Sequence, residues 1–370
     1  MLNFDIFCRV VDNYGDIGVC WRLARQLVHD PAVHQVRLWV DDLRSFQRIE
    51  PTVSPQLSAQ TVANVAIHHW SDSAEHYPPL HEVVIEAFAC TLPAAVEAAI
   101  SPKQLWINLD YLSAEQWIND FHALPSPQGS GRQKYFFFPG FTEQTGGLLR
   151  EHDLLSRQEL YLQQPQQARE LWATLGLNDA QQHELLNDER QAVVLFHYPE
   201  APVNALLQTL AAQAEQYLVL SPTQFSATQL AYQNQHLQLH TFDFVQQDEF
   251  DHLLWSSTFN LVRGEDSLLR ALWAGRPMIW QPYIQDDDLH LEKLDALLDT
   301  SPLSASTKAL MRSWSTADGA AFAQQLHHAL QAEAWQTWCD EARLWREQLA
   351  KQSSLRERLI AFCTEQLRTR

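Results

Sequence analysis

The sequence predicts an α/β protein of two doubly wound domains, and three observations carry that prediction. Short apolar runs alternate with helical patterns along most of the chain, which is the signature of βαβ units. Most of the runs are continuous rather than alternating, as strands buried on both faces of a parallel sheet require. The plan then occurs twice within 370 residues, a length that suggests two or three domains at about 150 residues each.

In chain order, the first half offers strands at 4–10, 36–40, 65–69, 83–88, 105–109 and 135–138, with helices at 17–28 and 93–100. The second half offers strands at 192–198, 217–220, 237–241, 259–262 and 277–280, with helices at 203–215 and 267–274. Between the halves, 156–189 is rich in Gln, Leu, Glu and Asp, lacks strand signals and reads as helical. From 332 onward the chain is a polar-faced helical segment carrying Trp335, Trp338, Trp345, Leu349 and Ile360. Pro125-Ser126-Pro127-Gln128-Gly129-Ser130-Gly131 reads as a flexible surface loop. The expected division is therefore a first domain over 1–175, with the helical tail 346–370 packing back on it, and a second domain over 176–345.

Composition excludes several classes of function. Hydrophobic residues make up 46% and charged residues 19%, so there is ample material for a core and disorder is excluded. Acidic residues outnumber basic ones 45 to 26, a net charge of −19. That field repels phosphate backbones and anionic lipid, which argues against nucleic acid or a membrane surface as the main partner. No run reaches the ~20 apolar residues of a membrane helix, and the start, Met1-Leu2-Asn3-Phe4-Asp5, does not resemble a signal peptide. Cys8, Cys20, Cys90, Cys339 and Cys363 are scattered and form no CxxC pair, so reduced core thiols in a cytoplasmic protein are expected. The thirteen tryptophans are expected mostly in the core.

In open α/β sheets, ligands bind beyond the carboxyl ends of the strands, and two such domains facing one another would form a cleft. The loop after the first strand is Asp12-Asn13-Tyr14-Gly15-Asp16-Ile17-Gly18. Gly15 and Gly18 allow tight turning and close approach of a ligand. Asp12 and Asp16 supply carboxylates, one of which can serve as a general base. The alternatives are that Asp16 caps a helix starting at Ile17 and that Asp12 is a turn residue. Asp41 follows the second strand, but the loop is not GxGxxG, so dinucleotide binding is only weakly supported.

The second candidate is Arg263-Gly264-Glu265-Asp266-Ser267, the turn from strand 259–262 into a helix. A helix start offers unpaired N–H groups and the positive end of the dipole. Gly264 allows close approach, Ser267 adds a hydroxyl and Arg263 a charge, so a diphosphate fits. Glu265 and Asp266 repel phosphate unless their side chains turn away towards sugar hydroxyls. The alternative here is plain capping by Asp266.

Phe196-His197-Tyr198-Pro199 closes the first strand of the second domain, where aromatic rings either stack on a base or belong to the core. Asp286-Asp287-Asp288 with His290 reads as a solvated helix start rather than a metal site. His68-His69 and His327-His328 lack HExxH or a nearby Cys pair, so no zinc is expected. Neither GxSxG nor GxxxxGK[ST] occurs. An acidic glycine-bearing loop on one α/β domain and an anion-binding helix start on the other fit a nucleotide-sugar glycosyltransferase of the GT-B type.

At these two loops the sequence resembles a known family. Asn13-Tyr14-Gly15-Asp16-Ile17-Gly18-Val19 with Trp21-Arg22-Leu23, and Arg263-Gly264-Glu265-Asp266-Ser267 with Ala271-Leu272-Trp273-Ala274-Gly275, look like the EarP family. Phe137-Phe138-Pro139-Gly140-Phe141 and Thr145-Gly146-Gly147-Leu148 are similar too, and the resemblance runs along almost the whole chain. It implies a GT-B fold, dTDP-β-L-rhamnose as co-substrate without a further cofactor, inversion at the anomeric carbon, and an arginine of translation elongation factor P as acceptor. It further implies that Asp16 is the catalytic carboxylate, that Glu265 and Asp12 are further acidic positions of the active site, and that Asp266 and Ser267 hold the diphosphate beside Arg263. Phe196, Tyr198 and Gln247 would surround the nucleotide, with Asn13, Tyr14, Gly15, Gly18 and Gly264 completing the donor site. The chain departs from the family pattern at Gln281-Pro282-Tyr283-Ile284-Gln285. Two rival readings stay open at this point: a GT-B transferase with another donor or acceptor, and a non-catalytic nucleotide-binding protein.

Overall fold

The computed structural model describes residues 1–11, 14–73, 76–129, 131–285 and 288–369. The chain divides into two compact units, one formed by Met1–Glu151 with Gln352–Arg370 and the other by His152–Lys351. The first expected domain therefore ends earlier than 175, and the second reaches further than 345.

The first unit is built on an eight-stranded sheet. Its strands are β1 (Leu2–Cys8), β2 (Val33–Val40), β3 (Ala59–Val62), β4 (Val65–His69), β5 (Val83–Ala87), β6 (Leu105–Leu109), β7 (Pro125–Gln128) and β8 (Arg132–Phe137), in the order β3-β4-β2-β1-β5-β6-β8-β7. The six inner strands run parallel, and β3 and β7 pair antiparallel at the two edges. β1, β5 and β6 are almost wholly buried, which explains their unbroken apolar runs. The expected loop at 125–131 is corrected here: Pro125–Gln128 is an edge strand on β8, and an edge tolerates Pro125 and Pro127 because their missing N–H groups are not needed in a further ladder.

Buried charges are tied down at the centre of this sheet. Asp5, fully buried, accepts from Arg37 Nε and NH2 at 2.6 Å each, from Trp39 Nε1 at 2.8 Å and from the His81 backbone N–H at 2.7 Å. A buried ion pair is tolerated only when its other hydrogen-bonding groups are satisfied as this one's are.

The terminal helix Leu355–Arg368 belongs to the first unit. Arg358 donates to the Thr142 and Thr145 carbonyls at 2.8 and 2.7 Å, and Phe362 packs on Tyr135 and Phe137 at 5.4 and 5.6 Å between ring centroids. Gly147 sits at φ 76° with the Ser353 carbonyl 2.7 Å from where a Cβ would stand, so only glycine fits this approach.

The second unit has five parallel strands, β9 (Gln191–Leu195), β10 (Tyr217–Ser221), β11 (Leu237–Thr241), β12 (Phe259–Arg263) and β13 (Met278–Gln281), ordered β11-β10-β9-β12-β13. The helices Leu154–Leu162 and Pro165–Thr174, expected with the first domain, belong here instead. The reason is packing. The Tyr161 ring stacks on His252 at 4.3 Å, its hydroxyl lies 2.7 Å from Ser256 Oγ, and Gln158 donates to the Ala274 carbonyl at 2.8 Å. Helix Ala332–Ala350 also stays with this unit, with Trp338 and Trp345 beside Ala271, Leu272 and Met278. Arg346 lies over Gly275, whose φ of 64° ends the helix before it.

Candidate active site

In the first unit, chemistry-bearing residues collect beyond the carboxyl ends of β1, β5 and β6. The helix after β1 spans Gly15–Val28, with Tyr14 at its N-cap and the Gly18 N–H bonded to the Tyr14 carbonyl at 2.9 Å. Asp16 is thus the second helical residue, and the cap at Ile17 is corrected: the carboxylate turns back towards the strand end. Its Oδ2 accepts the Val11 N–H at 3.0 Å and its Oδ1 the Tyr111 hydroxyl at 3.3 Å, and the residue is 2% exposed. A buried carboxylate gripped by two loops has a fixed direction, which acid–base work demands. Asp41 is engaged with the Val10 N–H at 2.8 Å, so it braces this loop. Tyr14 accepts a hydrogen bond from Arg48 at 2.6 Å. Asp12 and Asn13 lie outside the described residues.

The floor beside Asp16 comes from the ends of β5 and β6. Phe88 and Ala89 both adopt left-handed backbone, φ 58° and 51°, a conformation that costs non-glycine residues about 1–2 kcal/mol each. Asn108 holds it, its Oδ1 accepting the Ala89 N–H at 2.9 Å while its Nδ2 donates to Asp110 at 3.0 Å. Asp110 in turn accepts the Tyr111 N–H at 2.8 Å. The Phe88 and Tyr111 rings stack at 4.5 Å and 21°.

In the second unit the convergence is at the ends of β9, β12 and β13. Gly264, at φ 69° and ψ −175°, is the N-cap of helix Glu265–Ala274. Plain capping by Asp266 is therefore corrected as well, since Asp266 is the second residue of this helix. A Cβ on Gly264 would meet the Tyr198 hydroxyl at 3.4 Å in a backbone region that side chains avoid. Glu265, Asp266 and Ser267 are half-buried on the first turn. The Arg263 guanidinium lies 5.0 Å over Phe196 and 4.6 Å over Tyr198, a double cation–π contact that aims the charge. Both rings are half-buried, so they are not core. Gln247 opens helix Gln247–Ser256, whose Phe250 lies 5.7 Å from Phe196. Burial pushes the His197 imidazole below its usual range, which keeps a second cation away from Arg263.

The 281–285 segment, noted in the sequence for its departure from pattern, takes part in this arrangement. The Gln281 side chain, 1% exposed, accepts the Tyr198 N–H at 2.8 Å, and its carbonyl accepts the Gly264 N–H at 3.2 Å. Tyr283, 58% exposed, meets Tyr198 edge-on at 5.7 Å. A glutamine closing the apolar run Met278-Ile279-Trp280 was the signal for it. Tyr111 left no such signal, because its contact with Asp16 spans 95 positions. Of the acidic run at 286–288, Asp288 precedes helix Leu289–Thr300, and Asp286 and Asp287 lie outside the described residues. Among the described residues no cluster of three or more His, Cys, Asp or Glu is placed to hold a metal, and no helix is long and apolar enough to cross a membrane.

Comparison with known proteins bears on this arrangement. A family model described as "Elongation-Factor P (EF-P) rhamnosyltransferase EarP" matches residues 4–364. The chain is 41% identical to a protein-arginine rhamnosyltransferase of Pseudomonas putida, over 97% of this chain and 98% of that protein. It resembles a solved structure reported as the structural basis for EarP-mediated arginine glycosylation of translation elongation factor EF-P, with a TM-score of 0.64, 29% identity and 99% of each chain covered. MurG of Acinetobacter baumannii is similar in fold, with a TM-score of 0.52 at 12% identity over 98% of this chain and 99% of that one. The fold is of the GT-B class.

Proposed function

We propose a function from one premise: the chain belongs to the EarP family of elongation factor P rhamnosyltransferases and is a glycosyltransferase. The reaction we assign is transfer of L-rhamnose from dTDP-β-L-rhamnose to an arginine side chain of elongation factor P, with inversion and without a metal cofactor, in the cytoplasm where translation factors work. The observation that carries the assignment of roles is the buried Asp16 carboxylate, turned away from capping its own helix and fixed by Val11 and Tyr111.

A guanidinium is a poor nucleophile while protonated, with a pKa above about 12. A guanidinium nitrogen attacks the anomeric carbon as the bond from that carbon to the diphosphate oxygen breaks. The N–H proton passes to the Asp16 carboxylate, and the electron pair of the broken bond leaves with dTDP. One displacement of this kind inverts the anomeric centre. The charge growing on the diphosphate falls to the N–H groups of helix Glu265–Ala274, the Ser267 hydroxyl and Arg263, fixed dipoles and charge that need no rearrangement as the bond breaks. Phe196 and Tyr198 wall the nucleotide, and Glu265 faces the sugar hydroxyls. The net charge of −19 favours approach of an acceptor that presents a cation.

The test is the intact mass of elongation factor P after incubation with the enzyme and dTDP-rhamnose. The expected result is a gain of one deoxyhexose, mapped to an arginine. No gain, or gain only with another nucleotide sugar or on another protein, overturns the assignment.

A further inference from the structure

Beyond the hold of the Tyr111 hydroxyl on Asp16, the stacked Phe88–Tyr111 rings have no place in the reaction as described so far, yet the fold maintains them at a cost. Two consecutive non-glycine residues in left-handed backbone close β5, a strand of the sheet's centre next to β1. Such strain persists where surrounding structure over-determines it, and it concentrates at functional sites. Here Asn108 and Asp110 hold the turn and the following residue in one chain of hydrogen bonds, from the Ala89 N–H to the Tyr111 N–H. The Phe88 N–H also bonds to the Leu109 carbonyl at 2.6 Å. The product of all this is a pair of stacked rings, 38% exposed at Tyr111, whose hydroxyl reaches the Asp16 carboxylate. A core aromatic pair would be covered, and a merely exposed one would not touch a buried carboxylate.

We propose that Phe88 and Tyr111 form the acceptor-guanidinium subsite, the stacked rings giving the planar cation a face to lie on while the Tyr111 hydroxyl aims Asp16 at its nitrogen. The inference deepens the reading of Asp16 as the base and rests on it. A guanidinium is flat, delocalised and weakly hydrated, so it stacks on an aromatic face, whereas the compact ammonium of lysine is strongly hydrated and gains less. The pair would thus select arginine over lysine and present the nitrogen, rather than the methylene stem, to the base. Tyr111 is a positioning residue through its hydroxyl, and Phe88 sets the depth of the ring beneath the cation.

The two roles separate in kinetics with elongation factor P as the varied substrate at saturating dTDP-rhamnose. Tyr111→Phe keeps the ring and loses the hydroxyl, so kcat falls about tenfold, the loss of one hydrogen bond to a charged group, while KM stays within about twofold. Phe88→Leu weakens the stacking support, so KM for the acceptor rises roughly three- to tenfold with little change in kcat. Phe88→Tyr keeps the stack and restores the wild-type KM. All three variants unfold at the parent's urea midpoint, a readout that a general loss of structure would move. Wild-type kcat in Tyr111→Phe, or wild-type KM in Phe88→Leu, overturns the inference while leaving the rhamnosyltransferase reading intact. No transfer by the wild-type enzyme overturns both.

Discussion

The two units solve the same problem at the same place in opposite ways. Each puts its functional loop beyond a buried parallel strand and at the start of a helix, Gly15–Val28 in one and Glu265–Ala274 in the other. Each has an aspartate at the second helical position, Asp16 and Asp266. In the first unit the side chain is the specialised part: Asp16 is buried and clamped by the Val11 N–H of its own loop and the Tyr111 hydroxyl of another. In the second unit the backbone is specialised: Gly264 takes a φ of 69° and starts the helix with no side-chain cap. The proposed roles match this difference: moving a proton takes one carboxylate in one direction, and holding a diphosphate takes several N–H groups together.

The contrast is broken most severely at Asp16. Asp16→Asn keeps the shape but removes the base, and kcat should fall by about 10²–10⁴-fold. Its affinity for dTDP, measured calorimetrically, should match the parent's, because the nucleotide is assigned to the other unit. Turnover within a factor of a few of wild type would show that the clamped carboxylate is not the base.

Gly264→Ala tests the second unit's reliance on backbone. An alanine at φ 69° and ψ −175°, a region left almost entirely to glycine, costs about 1–3 kcal/mol and crowds the Tyr198 hydroxyl. The N-cap should shift, weakening dTDP binding about tenfold while kcat at saturating donor changes far less. Equal losses in both parameters would mean that this loop contributes to the chemical step, and the division of labour would fail.

A pH effect belongs to the first unit. Burial holds the His122 imidazole down at about 4, from an ordinary 6.5, and the ring accepts the Phe138 N–H at 3.1 Å. The folded state resists the proton that the unfolded chain takes up below 6.5. Stability from this group is therefore complete above pH 6.5 and lost as pH falls towards 4. Urea midpoints across that window should decline on acidification, and His122→Asn should flatten the decline.

What was legible in the sequence follows the same physics. The runs at 65–69, 105–109 and 237–241 are strands to the residue: 105–109 is buried throughout, whereas Val65-Ala66-Ile67-His68-His69 and Leu237-Gln238-Leu239-His240-Thr241 bury less and show the apolar positions at every second residue that a strand requires. Edge strands β3 and β7 have one face in water and a mixed composition, so nothing in their pattern separated them from loop. The boundary near 151 was invisible, since helical periodicity in 154–174 says that a face is buried but not against what. The two candidate loops were singled out from glycine and charge. Their caps were not, because Asp16 reaches a tyrosine 95 positions away and Gly264 needs no side chain to start a helix.

The smallest predicted effect falls on the aromatic wall of the second unit. Phe196 lies under Arg263 on one side and beside Phe250 on the other. Phe196→Leu preserves apolar bulk and removes the ring quadrupole, so Arg263 loses one of its two cation–π partners, a contribution of about 0.5–1 kcal/mol at a part-exposed site. Affinity for dTDP should drop roughly two- to fivefold, and affinity for thymidine without phosphate should drop less if the ring acts mainly by aiming Arg263 at the diphosphate. An equal loss for both ligands would instead assign Phe196 to the base itself.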